Sequence, residues 1–163
     1  GRKPDVLDLG CGTGLFGVVV RPFAARLAGV DLSKGMLEQA RIRGIYDLLD
    51  DGDIQAWLAT HPEPADLIAA TDVLVYVGRL EGIFAEVASH LSPGGLFAFS
   101  IESPADLVED MRLQAAGRYA HAKAYIDRLA QEHGMPVIQR LDSVIRTEHA
   151  KPVHGCLYVL QKS

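Results

Sequence analysis

Three alternate glycines, Gly10, Gly12 and Gly14, follow a short apolar run that contains one acidic residue, Asp8. Glycine permits a tight backbone turn and lets a ligand approach the main chain without an intervening Cβ. A strand that leads through such a turn into a helix places ligands at the carboxyl ends of parallel strands. The segment from Asp8 to Gly14 therefore predicts a cofactor site.

This turn departs from the dinucleotide-binding pattern G-x-G-x-x-G. Counted from Gly10, the third glycine of that pattern falls on Leu15, and the literal match in the chain begins two residues late, at Gly12. Asp8 would repel a pyrophosphate, whereas it would attract an ammonium or sulfonium group of a ligand. In the alternative interpretation, Asp8 accepts hydrogen bonds from the amides of the turn and touches no ligand.

Asp31 ends a second short apolar run. An acidic side chain at this place can accept hydrogen bonds from both ribose hydroxyls of an adenosine. The alternative is that it caps the following helix, but Ser33 is better placed for that role because the helical sequence opens directly after it. We therefore predict that Asp31 binds the ribose of an adenosine. Since dinucleotides also contain adenosine, this residue alone does not identify the cofactor.

Apolar runs alternate with helical patterns along most of the chain, which predicts an α/β fold: a doubly wound parallel sheet with helices on both faces. Strands are predicted near residues 5–9, 28–31, 45–49, 65–71 and 95–101, and helices near 14–27, 34–42, 53–60 and 79–91. Pro22 is expected to kink or split the first helix. After a polar connection at 102–116, a helix is predicted at about 118–133, followed by a hairpin made of 136–146 and 153–161.

The chain of 163 residues is 48% hydrophobic and carries a net charge of −5. These values fit one domain with a single core, and the acidic balance disfavours nucleic acid as a partner because its phosphates require a basic surface. No apolar run reaches the roughly 18 residues that cross a bilayer, so no membrane partner is expected.

The two cysteines do not make a disulfide framework, which favours a cytoplasmic location. The histidines lack the spacing of metal ligands, so no metal site is predicted.

With these features the chain resembles the class I S-adenosylmethionine-dependent methyltransferases. The motifs that carry the resemblance are Asp8-x-Gly10-x-Gly12-x-Gly14, Asp31, Gly52-Asp53-Ile54, Ala65-Asp66-Leu67-Ile68 and Leu91-Ser92-Pro93-Gly94-Gly95-Leu96. The resemblance implies a Rossmann-like sheet of seven strands in the order 3-2-1-4-5-7-6, with strand 7 antiparallel. It implies S-adenosyl-L-methionine as the cofactor, with S-adenosyl-L-homocysteine as its product, and an unidentified small-molecule or protein methyl acceptor. The alternatives are an NAD-dependent oxidoreductase and a non-catalytic S-adenosylmethionine-binding module.

Within that class, the stretches 71–78 and 117–121 resemble the methyltransferase domain of predicted tetratricopeptide-repeat-containing methyltransferases. Class members usually carry helices ahead of the first strand, which begins about five residues into this chain. Residues 1–163 are therefore expected to form a single methyltransferase domain that lacks those N-terminal helices. An N-terminal helical or tetratricopeptide-repeat region is expected in a longer parent chain.

The resemblance extends the predicted site beyond the glycine turn. Asp53 would accept a hydrogen bond from the adenine amine, with Ile54 packing on the ring; alternatively, Asp53 caps a helix. Met36 would pack under the adenine unless it belongs to the core. The predicted cofactor-binding residues are Asp8, Gly10, Cys11, Gly12, Thr13, Gly14, Asp31, Leu32, Met36, Asp53, Ile54 and Thr71.

A further group is predicted on the acceptor side. Thr71 and Asp72 end the fourth strand, where the class holds the methyl end of the cofactor. Asp72 would orient an acceptor or act as a base, or else cap the segment that follows, and Tyr76 would line the acceptor pocket. A cluster at the start of the last helix, near the same edge, is predicted to bind the acceptor; alternatively, its members are surface residues without such a role. It consists of Arg118, Tyr119, His121 and Tyr125. The predicted catalytic residues are Asp72, Tyr76 and His121.

Overall fold

The computed structural model describes residues 1–163, which form nine β-strands and five α-helices. The strands are β1 (Asp5–Leu9), β2 (Arg26–Asp31), β3 (Leu48–Asp51), β4 (Ala65–Ala70), β5 (Leu91–Glu102), β6 (Met111–Leu113), β7 (Tyr119–His121), β8 (Val137–Glu148) and β9 (Lys151–Gln161). The helices are α1 (Leu15–Val20), α2 (Lys34–Arg43), α3 (Ile54–Thr60), α4 (Glu81–His90) and α5 (Lys123–Glu132). Short 3-10 helices lie at Arg21–Phe23 and Leu74–Tyr76. None of the helices combines the length and the apolar character that a membrane crossing requires.

The central sheet is mostly parallel. β3, β2, β1, β4 and β5 lie side by side in that order, and each neighbouring pair is parallel. β9 pairs antiparallel with the other edge of β5, and β8 pairs antiparallel with β9. The predicted α/β class is therefore confirmed, with helices on both faces of the sheet. The carboxyl ends of the parallel strands meet at one edge, where the candidate site lies.

The strand count and order differ slightly from the predicted seven strands, because β6 and β7 add a short antiparallel pair. β7 pairs with β5 at one position, Ala120 opposite Glu102. The predicted helix at 118–133 is wrong at its start, since Tyr119–His121 form β7 and α5 begins at Lys123. Ala120 is completely buried, and this tertiary contact overrides the local helical pattern.

Other element bounds also differ from the prediction, among them the start of β5, which lies at Leu91 instead of residue 95. α1 ends at Val20, and Pro22 lies in the 3-10 helix that follows, so the first helix is split as expected but is shorter than predicted. β3 begins later than predicted because residues 44–47 form a separate segment, here named the α2–β3 connector. Gly44 starts this connector in the left-handed conformation, which ends α2.

Apolar side chains pack on both faces of the sheet. On one face, Leu7 and Leu9 belong to a large buried cluster with residues of α3, α4 and α5. On the other face, Val6 packs with Val20 of α1 and with the partly buried ring of Tyr46. Because successive strand residues point to opposite faces, Asp8 lies on the same face as Val6. The acidic residue of the glycine motif is thus directed toward α1 and the α2–β3 connector.

Candidate functional site

A cavity of about 620 Å³ opens at the carboxyl ends of β1, β2 and β4. This volume is typical of a site for a small ligand. Its walls come from the glycine turn, the end of β2, the start of α3 and the segment after β4. The predicted residues that the structure brings together in the lining are Gly10, Cys11, Gly12, Thr13, Asp31, Leu32, Met36, Asp53, Ile54, Thr71, Asp72 and Tyr76.

The glycine turn has a backbone that other residues adopt only with strain. Gly10, Gly12 and Gly14 have φ values of 66°, 55° and 91°. The amide of Gly10 donates a 2.8 Å hydrogen bond to the carbonyl oxygen of Val30, which ties the turn to β2. A Cβ on Gly10 would lie 2.3 Å from Cγ2 of Val73, so the close approach of the two segments also requires glycine. Gly14 lies outside the cavity lining.

Asp31 joins the end of β2 to the glycine turn. Its Oδ2 accepts a 2.9 Å hydrogen bond from the amide of Gly12, and its Oδ1 accepts a 2.8 Å bond from the amide of Ser33. The Ser33 hydroxyl accepts a bond from the amide of Met36, so Ser33 is the cap of α2, as predicted. A carboxylate has about four acceptor positions, which leaves Asp31 able to accept hydrogen bonds from a ligand as well.

Asp53 caps α3 and also lines the cavity. Its Oδ1 accepts a 2.9 Å hydrogen bond from the amide of Ala56, which confirms the capping interpretation. Its second carboxylate oxygen makes no hydrogen bond within the chain, so capping leaves an acceptor for a ligand. Ile54, Leu32 and Met36 add apolar surface to the same lining.

Asp72 is held in a strained conformation just after β4. Its φ of 53° is unusual for a residue with a side chain, and such strain is concentrated at functional sites. Its amide donates a 2.9 Å hydrogen bond to the hydroxyl of Ser100, and its Oδ1 accepts a 2.9 Å bond from Arg146. Tyr76 lies on the 3-10 helix that follows and is 61% exposed. Thr71, Asp72 and Tyr76 together form one end of the cavity.

An ionic cluster lies behind Asp72. Arg146 contacts both Asp72 and the buried carboxylate of Glu102. Arg118 lies 3.3 Å from Glu102 and 2.5 Å from Glu148, measured from guanidinium nitrogen to carboxylate oxygen. Removing one member of such a buried cluster leaves its partner without a counter-charge. Arg118 is thus engaged inside the cluster and does not line the cavity.

His121 is not brought to the cavity. It is completely buried on β7, and its Nε2 lies 2.8 Å from the carbonyl oxygen of Gly78. Burial lowers the pKa of His121, which keeps the ring neutral near pH 7. The ring of Tyr125 stacks on it, while the Tyr125 hydroxyl donates a hydrogen bond to Glu81. The predicted position of this group at the start of a helix is wrong, because Tyr119 and His121 lie on β7 and only Tyr125 lies on α5.

Asp8 lies behind the glycine turn and outside the cavity lining. It is completely buried, and its Oδ2 accepts a 2.6 Å hydrogen bond from the hydroxyl of Tyr46. The amides of the turn do not bond to it, so the alternative interpretation, in which those amides donate hydrogen bonds to Asp8, is wrong. The cause is that the Tyr46 side chain occupies the space next to the carboxylate. Burial raises the pKa of Asp8 to about 7; the Tyr46 hydroxyl opposes this shift and the charge of Asp31 adds to it.

The cavity is acidic. Asp31, Asp53 and Asp72 contribute carboxylates to its lining, and no lysine, arginine or histidine lines it. Such a cavity attracts a cationic ligand and repels a pyrophosphate.

Burial raises the pKa of Cys11 to about 12, with the charges of Asp8 and Asp31 adding to the effect, so its thiol remains protonated and is a poor nucleophile. The structure contains no group of three or more histidine, cysteine or acidic side chains arranged to hold a metal ion.

The lining also contains residues for which no role in binding was predicted: Leu15, Phe16, Ser33, Val73 and Val77. Leu15 and Phe16 follow the glycine turn directly, and this position in the sequence could have predicted their place in the lining. Val73 and Val77 are apolar residues after a buried strand, and in sequence they cannot be distinguished from core residues. Their place in the wall depends on the path that the chain takes after Asp72.

A family model described as a methyltransferase domain matches residues 7–99, which is more than half of the chain. The matched region contains the glycine turn, Asp31, Asp53 and Asp72. The chain belongs to this methyltransferase family. The predicted resemblance to the class I S-adenosylmethionine-dependent methyltransferases is confirmed at this level.

Curated relatives of the methyltransferase domain carry several activities in their names. The trans-aconitate 2-methyltransferase of Paracidovorax citrulli is 37% identical over 98 residues, covering 59% of this chain and 38% of that protein. The malonyl-[acyl-carrier protein] O-methyltransferase of Salmonella typhimurium is 30% identical over 132 residues, covering 80% of this chain and 52% of that protein. The chain thus spans about half the length, or less, of these two relatives.

Solved structures show the same fold. An S-adenosylmethionine-dependent methyltransferase from Methanosarcina mazei matches with a TM-score of 0.79 at 16% identity, covering 99% of this chain and 93% of that one. The N-methyltransferase NodS from Bradyrhizobium japonicum, crystallised with S-adenosyl-L-homocysteine, matches with a TM-score of 0.76 at 21% identity, covering 97% and 77%. At these identities the likeness concerns the fold alone.

Proposed function

We propose that this chain is an S-adenosylmethionine-dependent methyltransferase domain whose cofactor occupies the cavity at the carboxyl edge of the sheet. The observation that carries the proposal is the acidic lining around a glycine turn, without a basic side chain. S-adenosylmethionine carries a sulfonium and an ammonium group, whereas NAD carries a pyrophosphate. The same lining therefore favours the first cofactor and disfavours the second.

The residues of the lining fit an adenosine and a charged amino-acid group. Asp31 would accept hydrogen bonds from the ribose hydroxyls with the acceptor positions that Gly12 and Ser33 leave open. The second carboxylate oxygen of Asp53 would accept a bond from the adenine amine, and Ile54 would pack on the ring. At Gly12 a Cβ would meet only the sulfur of Met36, at 3.7 Å, so the turn leaves room for a ligand beside its backbone.

The acceptor side of the cavity would lie at Thr71, Asp72 and Tyr76. The cofactor supplies an activated methyl group, so alignment of the acceptor can provide much of the rate. Asp72 is fixed by Arg146 and by the hydrogen bond that its amide donates to the Ser100 hydroxyl. It would orient the acceptor or take its proton. Tyr76 is exposed at the mouth and would cover the acceptor from bulk water.

The acceptor in this proposal is a small molecule or a protein group. The net charge of −5 argues against a nucleic-acid acceptor. The names of the relatives suggest trans-aconitate and malonyl-[acyl-carrier protein] as the first compounds to test. Both cysteines are free and buried, which supports a reducing compartment and hence a cytoplasmic location as part of the proposal.

The finer family resemblance also belongs to the proposal. The two stretches that resemble the tetratricopeptide-repeat-containing methyltransferases contact each other, since a Cβ on Gly78 would lie 3.1 Å from the ring of Tyr119 and His121 bonds to the Gly78 carbonyl. This contact supports reading them as one unit. All strands of residues 1–163 join one sheet, which supports a single methyltransferase domain.

A transfer assay with methyl-labelled S-adenosylmethionine tests the proposal. We expect label in at least one member of a panel that contains trans-aconitate, malonyl-[acyl-carrier protein], phenols and amines. The same label should be lost in the Asp31→Ala variant. Cofactor binding without transfer to any acceptor would favour a non-catalytic binding module, and absence of both binding and transfer would contradict the proposal.

A further inference from the structure

Tyr46 lies in the α2–β3 connector, which is anchored on both sides of this residue. The guanidinium of Arg21 donates hydrogen bonds to the carbonyl oxygen of Ile45, at 3.1 Å, and to Oδ2 of Asp47, at 2.8 Å. The same Asp47 oxygen accepts a 2.8 Å bond from the amide of Leu27 on β2. These bonds fix the main chain around Tyr46 and so direct its side chain toward the back of the glycine turn.

The ring of Tyr46 lies against three glycines that belong to three different elements. A Cβ on Gly17 of α1 would lie 2.4 Å from the Tyr46 hydroxyl oxygen, and a Cβ on Gly29 of β2 would lie 2.8 Å from ring atom Cε1. A Cβ on Gly14, the last glycine of the turn, would lie 3.0 Å from Cε2. Separations below 3.0 Å do not occur between a real Cβ and a neighbouring atom, so the absence of side chains at Gly17 and Gly29 makes the space for the ring.

The hydroxyl of Tyr46 makes the one hydrogen bond that the structure gives to the Asp8 carboxylate, at 2.6 Å. The other carboxylate oxygen, Oδ1, is buried without a partner. A buried acceptor that loses its donor costs the full desolvation of the group, so Asp8 depends on this hydroxyl. Gly10, the first glycine of the turn, lies two residues after Asp8. The bond therefore connects the connector to the strand from which the turn departs.

A second contact from the same side reaches the turn itself. Arg43, the last residue of α2, donates a 2.6 Å hydrogen bond from Nε to the carbonyl oxygen of Thr13. The turn is thus held from the cavity side by Asp31 and from behind by Arg43 and Tyr46. A turn that has glycine at alternate positions has many other conformations available, and these contacts limit them.

We propose that Tyr46 is a positioning residue for the cofactor turn: its ring fills the space left by the glycines, and its hydroxyl holds Asp8, so that residues 10–14 keep the conformation that binds the cofactor. Tyr46 does not line the cavity, so it acts through the turn and not by contact with a ligand. The inference rests on the proposed function for the identity of the ligand. The restraint on the turn itself can be measured without any ligand.

The test compares the wild-type chain with Tyr46→Phe and with a matched control, Tyr158→Phe. Tyr46→Phe keeps the ring and removes only the hydroxyl. Tyr158 is also buried, but its hydroxyl has no hydrogen-bond partner and lies away from the turn. For each protein, amide hydrogen exchange is measured over residues 10–14 and over β5, and S-adenosyl-L-homocysteine is titrated by calorimetry.

We expect Tyr46→Phe to accelerate exchange at residues 10–14 at least fivefold while exchange in β5 changes little. Affinity for S-adenosyl-L-homocysteine should fall about tenfold, since the buried Asp8 carboxylate loses its donor and the turn loses one of its restraints. Tyr158→Phe should alter neither quantity. Unchanged exchange at the turn in Tyr46→Phe, or equal acceleration in the turn and β5, would overturn the positioning role.

The two proposals fail in different ways. If the wild-type chain does not bind S-adenosyl-L-homocysteine, the proposed function fails, whereas the exchange data still decide the role of Tyr46. A double variant, Asp8→Ala with Tyr46→Phe, adds a further check, since alanine removes the acceptor of the Tyr46 bond. Because both single changes act on one bond, the effect of the double variant on turn exchange should be smaller than the sum of the two. Full additivity would show that Tyr46 does not act through Asp8.

Discussion

The amide of Gly12 donates a 2.9 Å hydrogen bond to Oδ2 of Asp31, so the carboxylate at the end of β2 also fixes the middle of the glycine turn. The other carboxylate oxygen of Asp31 accepts a hydrogen bond from the amide of Ser33, at the start of α2. One side chain therefore joins the end of the second strand, the turn after the first strand and the second helix. Disorder in any of these three segments would therefore weaken the binding of a ligand at Asp31.

This relationship makes Asp31 the most sensitive position of the site. We predict that Asp31→Ala lowers the affinity for S-adenosyl-L-homocysteine at least tenfold, because it removes both the ribose acceptor and the restraint on Gly12. Asp51→Ala is the matched control. Asp51 pairs with Asp31 in the sheet but is exposed, makes only a long ion pair with Lys34 and does not line the cavity. Calorimetric titration of both variants checks the prediction, and equal losses would contradict it.

Gly17→Ala should destabilise the fold. The added methyl group would lie 2.4 Å from the Tyr46 hydroxyl and 2.6 Å from its Cζ, so the ring must move out of its place. We expect the free energy of unfolding to fall by about 1–3 kcal/mol, measured by urea denaturation.

Gly35→Ala serves as the control for this substitution. Gly35 lies in α2 with nothing within 4 Å of its Cβ position, and alanine favours helix, so its stability should rise by up to about 1 kcal/mol. A Gly17→Ala variant as stable as the wild type would show that the ring is not confined there.

The stability of the chain should depend on pH through Asp8. Its pKa in the folded chain is raised from 3.8 to about 7, chiefly by burial. Between these two values the folded state binds the proton more tightly than the unfolded state. The contribution of Asp8 to stability is therefore fully present below its unfolded pKa and is lost as the pH rises through about 7. The Asp8→Asn variant has no titratable group at this position, so it lacks this contribution to the pH dependence.

The measurement is the free energy of unfolding of the wild type and of Asp8→Asn at pH 5 and at pH 8. From the lower to the higher pH, the wild type should lose about 2–3 kcal/mol relative to the variant. Parallel pH dependences in the two proteins would mean that Asp8 does not titrate in this range.

The left-handed backbone of Asp72 predicts an unusual response to substitution. Asp72→Gly should be more stable than Asp72→Val, although both lose the ion pair with Arg146, because glycine adopts a φ of 53° without strain. Asp72→Val should lose about 1–2 kcal/mol, because a β-branched residue is poorly accommodated there. Thermal denaturation of both variants checks this. A valine variant that is more stable than the glycine variant would argue against the strained conformation.

The residues at strand ends could be predicted from sequence, and those that reach the site from elsewhere could not. Gly10, Asp31, Asp53 and Asp72 each follow an apolar run, and parallel strands bring such positions to one edge of the sheet. Tyr46 gave no signal of this kind. It enters through the space left by Gly17 and Gly29, and that space exists only after α1 and β2 have packed.

The region after β5 shows a second limit. The pattern around His121 was helical in sequence. In the structure β7 pairs with β6 at three positions and with β5 at one, and these pairings form a short strand that places His121 in the interior. Tertiary contacts of this kind override local preference, and the sequence alone contains no measure of them. The ionic cluster of Arg118, Arg146 and Glu102 likewise joins residues that are distant in the chain.

The most direct measurement is a calorimetric titration of the wild-type chain with S-adenosyl-L-homocysteine and, in parallel, with NADH. The acidic cavity and the glycine turn predict saturable binding of S-adenosyl-L-homocysteine at one site and no binding of NADH. Binding of NADH without binding of S-adenosyl-L-homocysteine would contradict the assignment of the cofactor and, with it, the proposed methyl transfer.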